Sequence, residues 1–121
     1  MLSTTDFIDA VRTNLIPRII TCELNEERID QDQNGGISYV AYPMNPNPAH
    51  EMKAFEADVH GVDGVMKKGE ILWGSYHFDI RTNASGFVAF GTKDCRAMVM
   101  KSEFPTLGAL LDQVAIELQN E

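Results

Sequence analysis

The chain has 121 residues, 44% of them hydrophobic and 23% charged, with a formal net charge of −8 at pH 7. That length suits a single α+β domain over residues 1–121, and the composition is that of a soluble globular protein rather than a disordered one. A net-negative surface repels phosphate backbones and anionic lipid, which argues against nucleic acid or a membrane as partner.

No run approaches the roughly 18 apolar residues of a membrane span. The N-terminus also lacks the basic start and apolar core of a secretory signal, so a cytoplasmic location is expected. Cys22 and Cys95 are too few for a disulfide framework, and neither has a close-spaced Cys or His partner for zinc. Buried free thiols are the expectation, with a single bridge between them as the alternative. The charge is uneven: residues 1–63 hold eleven acids against four bases, whereas residues 64–121 hold seven against six.

In chain order, Ser3 with Asp6 three residues on reads as a helix start, and Ile8, Val11 and Leu15 share one face. Pro17 should end this helix, giving a span of about 3–16. Residues 18–24 alternate Ile20, Cys22 and Leu24 against Ile19, Thr21 and Glu23, which predicts a strand. Five acids follow within ten residues (Glu23, Glu26, Glu27, Asp30, Asp32), answered only by Arg28. Asn34-Gly35 is a strong hairpin signal, and pairing about it sets Asp32 opposite Ile37, Asp30 opposite Tyr39 and Ile29 opposite Val40.

Three prolines punctuate residues 43–48. Met52, Phe55 and Val59 then predict a second helix over about 48–60, stopped by Gly61, with 61–69 as a loop. Residues 70–81 read as one long strand, with Trp73, His77, Asp79 and Arg81 on a shared face. Strands near 87–91 and 95–101 follow, and Pro105 opens a last helix with Leu107, Leu110, Leu111, Val114 and Leu118 as its apolar stripe. The predicted order is α-β-β-β-α-β-β-β-α, a mainly antiparallel sheet with helices on one face. It resembles the arrangement of class I type III secretion chaperones, which implies a dimer contact at the sheet around Trp73 or at the last helix.

Three constellations carry possible function. Residues 30–38 resemble the first nine positions of an EF-hand loop, with Asp30, Asp32 and Asn34 at ligand spacing and Gly35 at the sharp turn. The bidentate acid expected at loop position 12 is Ala41, and the simpler reading is a hairpin. His50, Glu51, Glu56, Asp58, His60 and Asp63 form a polar cluster without a metal-binding spacing, as expected of a solvated helix face. Trp73, His77, Asp79 and Arg81 could line a groove for a small ligand, or serve an interface.

No nucleophile motif, phosphate loop or metal motif supports chemistry, so the non-catalytic reading is favoured and no cofactor is expected. The leading expectation is a homodimeric protein-binding module that sets Glu23, Glu26, Glu27, Asp30 and Asp32 against a basic protein partner. The competing one is a small ligand- or metal-binding protein, an enzyme among the options, with its site at Trp73, His77, Asp79 and Arg81.

Overall fold

The computed structural model describes residues 1–48 and 53–119. A helix at Thr4–Ala10 (α1) runs through a π-helical turn at Val11–Leu15 into a short helix at Ile16–Ile19 (α2). Seven strands follow among the described residues: β1 (Leu24–Gln31), β2 (Ile37–Pro43), β3 (Phe55–Val62), β4 (Val65–Trp73), β5 (Tyr76–Asn83), β6 (Gly86–Lys93) and β7 (Ala97–Phe104). A helix at Leu107–Gln119 (α3) closes the described chain. The strands form one sheet in sequence order, each antiparallel to the last.

The architecture is α+β with helices at both ends, as expected, but among the described residues no helix lies between two strand groups. Residues 49–52 of the predicted second helix fall outside the described residues, and Phe55 to Val62 is strand. Phe55 and Val59 are four apart, a spacing that serves a helical face and a strand face equally. Ala57 between them decides it, since Phe55, Ala57 and Val59 are all buried while Glu56 and Asp58 are not. The predicted 61–69 loop is a two-residue turn at Asp63-Gly64, both at positive φ (53° and 77°), the backbone a type I′ hairpin turn requires. Without the middle helix, the resemblance to the secretion-chaperone order lapses.

Other expectations shift for local reasons. Pro17 does not end the first helix, because the π turn passes the Ile16 N–H to the Val11 carbonyl. Pro17 then sits in the first turn of α2, where its missing N–H costs little. Arg18 and Ile19 are therefore helical, and β1 begins only at Leu24. The single strand expected over 70–81 is two strands, β4 and β5, joined at Gly74-Ser75, with Gly74 at φ 58°. The last helix starts beyond Pro105, where Thr106 caps it by accepting from the Ala109 N–H at 3.2 Å.

Burial alternates along the strands. Tyr39, Phe55, Ile71, Trp73, Phe78 and Ile80 point to one face and pack with Phe7, Val11, Leu15, Leu110 and Val114 of the helical layer. The opposite face carries no helix among the described residues, and its side chains are half-buried or exposed. Arg18 pairs with Asp112 at 2.7 Å, and the Gln119 amide donates to the Arg18 carbonyl at 2.7 Å, tying α2 to α3. The tips of two hairpins lock onto the start of α1. Thr4, 1% exposed, donates its hydroxyl to the Gly35 carbonyl and its N–H to the Gly64 carbonyl at 2.8 Å. A Cβ at Gly35 would lie 2.4 Å from the Gly64 nitrogen, so the close approach of the two turns needs glycine there.

Among the described residues, no helix is long and apolar enough to cross a membrane. Both cysteines are free: Cys22 is half-buried, but Cys95 is exposed at the β6–β7 turn with φ 56°, contrary to the expected burial.

Candidate functional site

The β1–β2 register differs by one residue from the expected pairing. Ile29 faces Tyr39, Asp30 faces Ser38 and Gln31 faces Ile37. The cause is Asp32, which leaves the ladder to close a five-residue turn. Its Oδ1 accepts from the N–H groups of Asn34 and Gly36, each at 2.8 Å, while its own N–H donates to the Gly36 carbonyl at 2.9 Å. This is the aspartate-capped turn of hairpin chemistry, and it commits one oxygen of Asp32 to the backbone. The EF-hand reading thereby loses its geometry along with its missing twelfth ligand.

The one-residue slip sorts the acids by face. Glu27 turns toward the helices, where it accepts from the Arg12 guanidinium at 2.6 Å and from the Tyr39 hydroxyl at 2.6 Å. Tyr39 is fully buried, and its hydroxyl together with Arg12 holds the Glu27 carboxyl below the usual carboxylate range. Burial and the neighbouring carboxylate push the Tyr39 phenol well up. Glu27 is therefore a structural acid. Glu23 lies just before β1, where its carbonyl accepts from the Met44 N–H at 2.8 Å. Glu26 is exposed, 3.9 Å from Arg28. Asp30 is exposed on the open face of the sheet.

From Asp30 a single row crosses five strands in register: Asp30, Ser38, Asp58, Glu70, Asp79. Three carboxylates thus stand directly opposite one another on β3, β4 and β5. Like charges in direct cross-strand register oppose folding, so the row depends on the cations beside it. Lys68 pairs with Glu70 at 2.8 Å, and this hydrogen bond keeps the Glu70 carboxyl below its usual range against the effect of partial burial. The neighbouring row runs His60, Lys68, Arg81.

At the hairpin end of the row, Asp30, Asp32, Asp58, Ser38 and His60 line a cleft of about 200 Å3. At the other end, Asp79, Arg81, Val88 and Phe90 line a second of about 310 Å3. Between them lies a tighter group in which ligand-type atoms of Glu70, His77 and Asp79 all fall within 4.8 Å of one another. His77 Nε2 stands 3.5 Å from Asp79 Oδ1, is shielded from solvent, and has no hydrogen-bond partner among the described residues.

His77, Asp79 and Arg81 lie on the open face of β5, apart from Trp73. The Gly74-Ser75 turn pairs Trp73 with Tyr76 and turns it to the helix-covered face, 4% exposed and 6.3 Å from the Phe55 ring. Trp73 can line no groove with the other three, nor provide the expected dimer contact. Of the polar cluster expected on a helix, Glu56, Asp58 and His60 lie on β3 in the open face, Asp63 lies in the turn, and His50 and Glu51 fall outside the described residues.

Glu70 and Lys68 escaped the sequence reading. A signal for Glu70 existed: Gly-Ser is a two-residue hairpin pair, and closing a turn there pairs Trp73 with Tyr76 and so Glu70 with Asp79. The Asp58–Glu70 pairing had none, because it depends on a bulge at His60/Gly61. Compared with known proteins, the chain matches no family model, no curated protein and no solved structure.

Proposed function

We propose that this protein is a non-catalytic binding module that receives a basic segment of a partner protein on its open sheet face. A lysine or arginine side chain of the partner enters the cleft among Asp30, Asp32 and Asp58. The observation carrying this reading is the carboxylate row in cross-strand register, continuous with the hairpin cleft. Aligned carboxylates on an open sheet face offer an external cation several charged acceptors at once. The cleft suits one side chain better than a free ligand, whose pockets run to roughly 300–1,000 Å3. Half-buried Val40 and Leu72 lie in the adjacent row, offering apolar contact for the stem of a basic residue.

This places the partner-binding acids differently from the initial expectation. Asp30 stays and Asp58 joins it, Glu26 lies at the margin, and Glu27 serves the fold. The proposal includes a cytoplasmic setting and needs only one copy of the chain.

The test is fluorescence anisotropy with a labelled lysine- and arginine-rich peptide at about 0.15 M salt, where long-range charge attraction is screened beyond roughly 8 Å. The D30N/D58N variant is compared with D9N/D94N, which removes the same charge from exposed positions off the face. Binding lost in the first and kept in the second supports the reading. Equal weakening in both reduces it to net charge and contradicts it.

A further inference from the structure

Glu70, His77 and Asp79 form a group distinct from the hairpin cleft, and they use chemistry that a basic side chain does not need. The imidazole of His77, beside the carboxylate row, offers nothing to lysine or arginine, but imidazole is a preferred ligand of divalent transition metals. We propose that these three residues bind a single zinc-class divalent ion with one coordination position left open.

Three observations support this. The ligand atoms already converge, all within 4.8 Å, from two strands in fixed register: Glu70 faces Asp79 across the ladder, and His77 precedes Asp79 by two on the same face. The His77 Nε2 to Asp79 Oδ1 separation of 3.5 Å is too long for a hydrogen bond of good geometry. It matches the separation of about 3.4 Å between two ligands on a tetrahedral ion with bonds near 2.1 Å. Finally, His77 Nε2 is shielded from solvent without a hydrogen-bond partner among the described residues. A shielded imidazole nitrogen left unpaired has an energetic cost, and a bound ion would remove it.

Lys68 holds one oxygen of Glu70 at 2.8 Å. A carboxylate has two, so the ion takes the other or displaces the ammonium. Lys68 and Arg81, the nearest cations in the neighbouring row, oppose binding electrostatically and favour a low-affinity site.

The experiment uses the full chain stripped with EDTA and titrated with zinc alone, by calorimetry and by thermal melting, with cobalt as an optical probe. One equivalent should bind and raise the melting point, because an ion held only by the folded state stabilises it by mass action. E70Q, H77Q and D79N should each weaken zinc by at least the roughly 10- to 100-fold that loss of an outer hydrogen-bonding partner costs a metal site. Each should also abolish the visible bands of bound cobalt, whereas H60Q should change neither. K68M should tighten binding by freeing Glu70, an effect that no general loss of structure would produce. Absence of saturable zinc binding overturns the proposal. So does binding retained in H77Q, or lost equally in H60Q, which would move the ion toward β3. Failure here leaves the D30N/D58N comparison untouched, since the peptide cleft shares none of the three ligands.

Discussion

Removing one oxygen atom, in Tyr39→Phe, should separate the structural acids of the hairpin from those free to bind. The Tyr39 ring is fully buried beside Phe55, with centroids 6.2 Å apart, and phenylalanine fills the same space. What is lost is the 2.6 Å hydrogen bond to Glu27. A hydrogen bond to a charged group contributes about 1.5–3 kcal/mol. Glu27 keeps Arg12 and is 31% exposed, so solvent screening places the loss near the low end, about 1.5 kcal/mol.

With a urea dependence of roughly 1–3 kcal/mol per molar for a small protein, the midpoint should fall by about 1 M. Trp73, the sole tryptophan and 4% exposed, reports the transition by its fluorescence. The pH profile gives the second readout. The Glu27 carboxyl is depressed in the fold, mainly by Tyr39, so its stabilisation is present above the unfolded value near 4.3 and is lost as pH falls through the lower folded value. The Tyr39 phenol is raised, so its contribution is complete below about 10 and declines as pH rises beyond that. Y39F should shrink the acid limb and remove the phenol's share of the alkaline limb. A midpoint within about 0.2 M of wild type, with both limbs unchanged, would refute the Glu27–Tyr39–Arg12 network.

The other expectations follow from the same geometry. Asp58→Asn relieves like-charge repulsion against Glu70 and should raise stability by a few tenths to about 1 kcal/mol in a urea melt while weakening peptide binding. A destabilised variant would mean that the row is not a source of strain. Asp32→Ala removes two backbone hydrogen bonds at the hairpin turn and should cost about 1–2 kcal/mol, with faster hydrogen exchange at Asn34 and Gly36 in NMR. Gly35→Ala must push a Cβ into Gly64 at a φ of 87°, and a loss of about 2 kcal/mol or more is expected from thermal melts.

Much of the frame was legible from residue type. The terminal helices, the α+β class and the hairpin at Asn34-Gly35 all follow from local patterns that tertiary packing leaves intact. The errors share a cause, in that short apolar spacings satisfy two periods at once. Phe55 and Val59 fit a helix, and residues 70–81 fit one uninterrupted strand, until two-residue turns at Asp63-Gly64 and Gly74-Ser75 cut the chain into hairpins. Those turns move Trp73 into the core and set Glu70 beside Asp79. Asp32 shows a different limit: an acid four residues before Gly36 looks free in sequence, yet its carboxylate takes up turn N–H groups and shifts the register by one. The candidate site was half legible. His77, Asp79, Arg81 and Asp30 were named, but the row that unites Asp30 and Asp79 with Asp58 and Glu70 depends on the bulge at His60/Gly61, which no local pattern announces.

The most direct measurement of the central claim is amide chemical-shift mapping with the basic peptide titrated into the labelled full chain. Binding to the open face should perturb Asp30, Ser38, Asp58, Glu70 and Asp79 together and leave α1 and α3 unmoved. Perturbations centred on the helical layer, or scattered over every exposed acid, would contradict it.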